Sequence, residues 1–315
     1  MADDLIVVFG GSGFVGRYVI KALARRGYRV RAPMRRPHLG QDLRVLGEVG
    51  QIHLMQANVR YPDSVARAME GASGAVNLVG VLRSQGKQTF QAMHVDAAAA
   101  IADAAKTEGV TRLVQMSAIG ADAQSRAAYA RSKAAGEAAV RARVPTATVL
   151  RPSIVFGAED RFFNRFADMA KFSPALPLIG GKTKFQPLHV VDLAEAIVGA
   201  LTRPDAAGRT YELGGPRIYT FRELLKFTLA TIDRKRWLAP LPFFLAEPLG
   251  ALMSFTGQLT ADQVRMLKTP NVVAASGVGT IADLGVATLE TVESIVPTYL
   301  WRFRPYGQFQ TKQTA

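Results

Sequence analysis

Short β-rich runs at 5–9, 29–32, 52–56, 75–79, 112–116 and 147–150 alternate, in the first half of the chain, with stretches whose apolar positions recur at helical spacing, 14–26, 63–70, 90–106 and 127–141. Parallel strands need a long crossover between them, usually a helix, so this alternation predicts an α/β fold with a doubly wound parallel sheet. Gly27 and Gly71 stand where two of the helices should stop, each fitted to a left-handed cap. After Arg151 the alternation gives way to helical stretches, prolines and one strand-like piece at 210–213. That change predicts a boundary near residue 157, with a doubly wound domain over 1–157 and a smaller, mainly helical lobe over 158–315. Residues 184–201 are expected to return to the main sheet.

One apolar run stands apart. Arg234-Lys235-Arg236-Trp237 precedes 238–255, which carries Phe243, Phe244, Leu245, Leu249, Leu252 and Met253 but also Pro240, Pro242, Glu247 and Pro248. The breaks make it a poor membrane span. Two readings stay open: a helix lying on a membrane surface or apolar partner, its basic triplet meeting anionic headgroups, or a buried core helix of the small lobe.

Composition narrows the chemistry. With 315 residues and 49% hydrophobic content the chain can build a sizeable core. Met1-Ala2-Asp3-Asp4 is short and acidic, so no export or organelle leader is expected. There is no cysteine, which excludes disulfides and thiolate metal sites, and the four histidines, His38, His53, His94 and His189, lack ligand spacing, so no metal is expected. A net charge of +14 calls for a polyanionic partner. No helix-turn-helix, zinc-finger or RNA-binding signature accompanies it, and nucleic acid is not expected.

The segment from Gly10 to Gly16, Gly-Gly-Ser-Gly-Phe-Val-Gly, follows a strand and opens a helix. Glycines at 10, 13 and 16 allow a tight turn, close approach of the backbone to a pyrophosphate and tight helix–strand packing, while the helix N-terminus offers N–H groups to the phosphates. Gly10, Ser12, Gly13, Phe14, Val15 and Gly16 are therefore expected to bind a dinucleotide, making 1–157 a Rossmann domain. An NAD site wants an acid at the end of the second strand, where this chain has Arg31-Ala32-Pro33-Met34-Arg35-Arg36. Guanidinium groups pair with a 2′-phosphate, so Arg17, Arg35 and Arg36 point to NADPH/NADP.

Tyr129 and Lys133 lie four apart, hence on one helix face. An ammonium there would stabilise the phenolate, lowering the Tyr129 pKa for proton transfer at a carbonyl, with Ser117 as an oxyanion-type donor. The alternative is that the pair only hydrogen-bonds the nicotinamide ribose.

With the glycine loop, Ser117, Tyr129 and Lys133 in this order, the chain resembles the extended and atypical short-chain dehydrogenase/reductases. The string from Arg151 to Asn164, Arg-Pro-Ser-Ile-Val-Phe-Gly-Ala-Glu-Asp-Arg-Phe-Phe-Asn, resembles more closely the NADPH-binding accessory subunits of respiratory complex I, the alpha-subcomplex subunit 9 family. So do Gln186-Pro187, Val190-Val191-Asp192, 47–51, Asn77-Leu78-Val79-Gly80, Leu241-Pro242 and the tail. Read from its residues alone, Asp160 is placed to cap a helix carrying Phe162, Phe163, Phe166 and Met169 on one face.

The resemblance implies tightly held NADPH, a place at the junction of the peripheral and membrane arms, and no demonstrated turnover. The lack of a presequence implies a bacterial member on the cytoplasmic face of the inner membrane. The remaining expected cofactor contacts are Asn58, Val59, Leu78, Val79, Gly80, Met116, Ser117, Tyr129, Lys133, Pro152 and Ile154. His94 stands about where an asparagine completes the tetrad of active extended reductases, and Ala118 and Ile119 replace hydroxyls common near Ser117. The leading expectation is thus a structural or regulatory accessory subunit. A stand-alone NADP-dependent reductase, epimerase or dehydratase and a redox-sensing binding module are the alternatives.

Overall fold

The computed structural model describes residues 4–252 and 260–307. The chain divides into two compact units, the first of Met1–Pro152, Val190–Leu213 and Val273–Thr288, the second of Ser153–His189, Gly214–Val272 and Leu289–Ala315.

The chain opens in the first unit with β1 (Leu5–Phe9), α1 (Phe14–Arg25), β2 (Arg29–Met34), β3 (Ile52–Gln56), α2 (Pro62–Met69), β4 (Gly74–Asn77), α3 (Ala97–Thr107), β5 (Leu113–Met116), α4 (Ala128–Arg141) and β6 (Thr148–Pro152). It enters the second unit with β7 (Val155–Phe156), α5 (Phe163–Phe172), β8 (Ala175–Leu178), β9 (Lys184–Phe185) and β10 (Leu188–His189). It returns to the first with α6 (Val190–Thr202) and β11 (Thr210–Leu213). The second unit then resumes with β12 (Tyr219–Thr220), α7 (Phe221–Thr231), β13 (Trp237–Pro240), α8 (Phe243–Leu252), α9 (Ala261–Met266), α10 (Val292–Ile295) and α11 (Pro297–Leu300).

In the first unit seven parallel strands stand in the order β11-β6-β5-β4-β1-β2-β3. Every residue of β1 is buried, as expected of a strand covered on both faces. The order reverses between β1 and β4, and ligands of open α/β sheets bind outside the carboxyl ends of the strands at such a switch point. Gly27 and Gly71 both have positive φ, +83° and +66°, as their cap positions required.

The strand expected at 210–213 exists but belongs to the main sheet, not the smaller lobe. Helix α6 lies against α1 and the sheet, and β11 completes the crossover by pairing with β6. Without it β6 would be an open edge. The first unit's initial segment ends at Pro152, ahead of the expected 157, and the return begins at Val190 rather than 184. Residues 184 and 185 instead form β9, which pairs with β12 in the second unit.

The second unit is built on an aromatic core that includes Phe156, Phe163, Phe185 and Phe221. Asp160 is the knot in it: Oδ1 accepts from the N–H groups of Phe162 (2.8 Å) and Phe163 (2.7 Å), and Oδ2 from the Tyr299 hydroxyl (2.6 Å). The expected cap is thus in place, and Phe162, Phe166 and Met169 pack against the core. For 238–255 the described part of α8 is neither wholly buried nor wholly exposed. Ala246 of α8 is buried with Ile179 and Val264, whereas Phe244 and Leu245 are 73% and 50% exposed. Met253, with the rest of 253–259, lies outside the described residues, as do the side chains of Leu249 and Leu252.

Candidate dinucleotide site

The glycine turn at the end of β1 is built for a group that only bare backbone can approach. Gly10 has φ +81°. A Cβ on Gly16 would sit 2.4 Å from the Gly10 carbonyl oxygen, so α1 can start this close to the turn only with glycine there. Gly13 is the N-cap of α1, no side chain caps it, and the first turn holds no acid. Its N–H groups and positive dipole end suit a pyrophosphate. Ser12 and Gly13 are exposed, and Phe14 and Val15 half-buried, at this rim.

Beyond β2, Arg35 and Arg36 are exposed, and neither forms an ion pair with a described residue. Arg17 is different, because its guanidinium pairs with Asp42, an acid that sequence reading did not connect to the site. Arg31 points elsewhere, donating to the carbonyls of Ala68 and Glu70. Asn58, after β3, tightens its own turn, its Oδ1 accepting from the Arg60 N–H and its N–H bonding Ser64 Oγ, with Val59 half-buried between.

At the switch point, Leu78 continues the ladder by donating to the Phe9 carbonyl (2.9 Å). Asn77, absent from the expected contacts, fixes the turn through Val79 and Gly80: its Oδ1 accepts from the Val79 N–H (3.0 Å) and its amide donates to Gln115 Oε1 (2.8 Å). Gly80 leaves room for Lys133, whose Nζ would lie 3.2 Å from a Cβ there.

Tyr129, Lys133 and His94 come together beside this turn. The ring centroids of His94 and Tyr129 are 5.4 Å apart, edge to face, and Phe90 stacks on His94. Lys133 Nζ lies 5.9 Å from the Tyr129 ring centroid and donates to the Met116 carbonyl (3.3 Å). Ser117, next to Met116, has a buried Oγ with no hydrogen-bond partner among the described residues. A buried orphan hydroxyl is costly unless something fills its partner's place. Together with the glycine cradle, it shows that the residues present fit a bound dinucleotide.

Hydrogen bonding fixes the His94 tautomer. Ser132 Oγ spends its proton on the Tyr129 carbonyl (2.7 Å), so it must accept from His94 Nδ1 (2.8 Å), while Nε2 accepts from the Val81 N–H (3.0 Å). The imidazole is therefore neutral with its proton on Nδ1. Burial, reinforced by the Lys133 charge, pushes its pKa down to about 3. It is held here by a π-helical turn, Gln91–Asp96, a geometry often found at functional sites. Gly136 of α4 makes that approach possible, since a Cβ would meet the His94 carbonyl at 2.2 Å.

The expected lowering of the Tyr129 pKa does not occur. Burial, which penalises the anion, pushes the phenol up to about 12. Burial also lowers Lys133 to about 8, opposed by the Glu137 carboxylate one turn along α4. Glu137 is held in turn by a bidentate fork from Arg151 of β6 (2.8 and 2.6 Å). At neutral pH Tyr129 is thus a proton donor and Lys133 mostly an ammonium, an arrangement suited to hydrogen-bonding a ribose or carbonyl rather than to abstracting a proton.

Pro152 ends β6, and its carbonyl accepts from the Ile119 N–H (3.1 Å). Ile154 belongs to the second unit, where its N–H donates to Asn271 Oδ1.

Residues 6–214 match the NAD dependent epimerase/dehydratase family. The chain belongs to that family. A nicotinamide dinucleotide is the group the family's name implies. Over 285 residues the chain is 36% identical to the mitochondrial NADH dehydrogenase [ubiquinone] 1 alpha subcomplex subunit 9 of Mus musculus, covering 89% of this chain and 75% of the mouse protein. It is also 30% identical over 261 residues to a ceramide reductase of Caulobacter vibrioides, covering 82% and 80% of the two chains. Among solved structures it superposes on the dTDP-glucose 4,6-dehydratase DesIV of Streptomyces venezuelae with NAD and TYD bound, at TM-score 0.71, 18% identity and coverage of 95% and 96%.

Within this epimerase/dehydratase fold, Tyr129 and Lys133 share one face of α4, and Ser117 follows the Met116 whose carbonyl Lys133 bonds. His94, Ser132, Asn77, Glu137 and Asp42 were not among the expected site residues. Only Ser132 carried a local signal, its place between Tyr129 and Lys133 on α4. The remaining four act through partners distant in sequence.

Proposed function

We propose that this chain is an NADP(H)-holding accessory subunit of a respiratory complex I, with Tyr129 and Lys133 serving chiefly to bind the nucleotide. The likeness to the mouse complex I subunit over 89% of the chain carries the reading. The site supports it, with a phenol raised to about 12 and a histidine locked neutral. Gly10, Ser12, Gly13, Phe14, Val15 and Gly16 hold the pyrophosphate; Arg35 and Arg36 take the 2′-phosphate, joined by Arg17 once it leaves Asp42. Asn58, Val59, Leu78, Val79, Gly80, Met116 and Pro152 complete the contacts. When bound, the dinucleotide supplies a hydride donor or acceptor; the chain's own residues position it, and Ser117 Oγ gains the partner it lacks.

The same reading puts the chain peripherally on a membrane, at the cytoplasmic face of a bacterial inner membrane, near the junction of complex I's two arms. No helix among the described residues is long and apolar enough to cross a membrane. Arg234, Lys235, Arg236 and Trp237, with the exposed face of α8, meet anionic lipid.

A second reading, a stand-alone NADP-dependent reductase, is favoured by the likeness to the Caulobacter ceramide reductase and by the intact Tyr129–Lys133 pair. Purified protein separates the two. The accessory-subunit reading expects NADPH or NADP to be released on denaturation and no steady oxidation of added NADPH across a panel of carbonyl and sugar-nucleotide substrates; sustained turnover on any of them favours the reductase.

A further inference from the structure

The second unit contains an open, strongly basic basin of about 650 Å³ that joins the Arg234–Trp237 segment to residues of α7 no motif included. One wall is the exposed face of α7, where Arg222 and Lys226 recur four residues apart. The chain then turns sharply at Asp233, a non-glycine residue with φ +50°, and brings Arg234, Lys235 and Arg236 back to the other wall. Asp233 is the single acid among the lining residues, against five cations.

The guanidinium groups of this wall are aimed rather than neutralised. Arg234 Nε donates to the Phe303 carbonyl (3.0 Å) and Arg236 Nε to the Ala170 carbonyl (2.9 Å). Carbonyls fix direction without cancelling charge, and the acids in reach, Asp233 in the lining and Glu223 on α7, are outnumbered by the five cations. Such a cluster repels itself unless an anion sits in it. The basin also has an apolar side, Leu229 and Leu238, and Trp237 beside them is 68% exposed. Its volume falls in the range of small-ligand sites, roughly 300–1,000 Å³.

We propose that this basin is a binding site for the phosphate of an anionic phospholipid headgroup, with Arg222 and Lys226 of α7 completing the basic triplet. The acyl region then lies toward Trp237 and the exposed Phe244 and Leu245 of the same unit. This rests on the membrane-side reading of Arg234–Trp237 and sharpens it from a diffuse polybasic attraction to a shaped site. A lipid fits the basin better than an acidic protein surface because exposed aromatic and aliphatic side chains follow the cations directly along the chain, the amphipathic order of a membrane interface.

The test is sedimentation of the full chain with phosphatidylcholine vesicles, with and without phosphatidylglycerol. Three proteins are compared: the parent, R222A/K226A, and R67A/K106A, which removes the same charge from exposed positions of the first unit. The parent is expected to bind only the anionic vesicles, R222A/K226A to bind them roughly thirtyfold more weakly, and R67A/K106A to stay within about threefold of the parent. In W301F, where Trp237 is the remaining tryptophan, emission should shift to the blue on binding. Equal losses in the two double variants mean diffuse attraction and overturn the site, as does unchanged binding by R222A/K226A, the result expected if the basin serves an acidic protein. A parent that ignores anionic vesicles overturns the membrane reading as well. Complex I and turnover play no part in this assay, so its failure leaves the accessory-subunit proposal to its own test. Unaltered nucleotide content in both double variants confirms that they are folded.

Discussion

At the scale of single residues, the proposed preference for NADP(H) rests on three arginines and one acid. Arg35 and Arg36 have no carboxylate partner among the described residues, whereas Arg17 is engaged by Asp42. Charge-assisted contacts to phosphate are worth roughly 1.5–3 kcal/mol each. R35A/R36A removes two of them and is therefore expected to weaken NADPH binding by about 100- to 10,000-fold and NADH binding hardly at all, as read by calorimetry. Asp42→Asn removes a charge that competes with the 2′-phosphate, and should tighten NADPH by a few-fold. A parallel loss for NADH in the first variant, or weaker NADPH binding in the second, contradicts these assignments.

His94 gives a pH signature. Its pKa falls from 6.5 to about 3 on folding, so the unfolded chain binds the extra proton first as the solution is acidified. The stability it contributes is complete above pH 6.5 and is lost as pH drops toward 3, by at most about 1.4 kcal/mol per unit. Between pH 7 and 4.5 the parent should lose roughly 2–3 kcal/mol that His94→Asn does not lose, measured by urea unfolding at both values. An identical pH dependence in parent and variant removes the buried neutral imidazole from the account.

At the scale of elements, the parts that sequence revealed are those set by local spacing. The glycine turn, the i, i+4 pair on α4 and the Asp160 cap all lie within a single turn or helix, and each stands where its spacing put it. What sequence hid depends on distant partners. Asp42 reaches Arg17 from another segment, Asn77 needs Gln115 on the neighbouring strand, and Glu137 is held by Arg151 of β6. Strand β11 was visible as a strand, yet its membership in the main sheet followed from the open edge of β6, which no local pattern announces. Asp160 is the most testable of these local features. Asp160→Ala leaves the N–H groups at the start of α5 and the buried Tyr299 hydroxyl without their acceptor. A loss of about 2–4 kcal/mol is expected. Tyr299→Phe, which removes only one bond, should cost less than half as much by the same chemical denaturation; equal costs would mean that the cap contributes nothing.

At the scale of the whole molecule, charge and connectivity bear on function together. The +14 balance that sequence flagged has a concrete focus in the second unit, where five cations line one basin. The two units interleave along the chain: the first resumes at Val190, within the 184–201 stretch expected to return to the main sheet, and again at Val273. That pattern arises because α6 and β11 are needed to finish the sheet after the second unit has begun. The nucleotide site is complete enough to bind, with Tyr129 held as a protonated phenol and His94 as a neutral imidazole. A protein so made gains stability from the bound dinucleotide by mass action without needing to turn it over. The most direct measurement is native electrophoresis of detergent-solubilised membranes from the cells that make this protein, probed for the chain and stained for NADH dehydrogenase activity. The account predicts that the chain migrates in the active complex I band; a chain found only as free monomer, absent from that band, contradicts it.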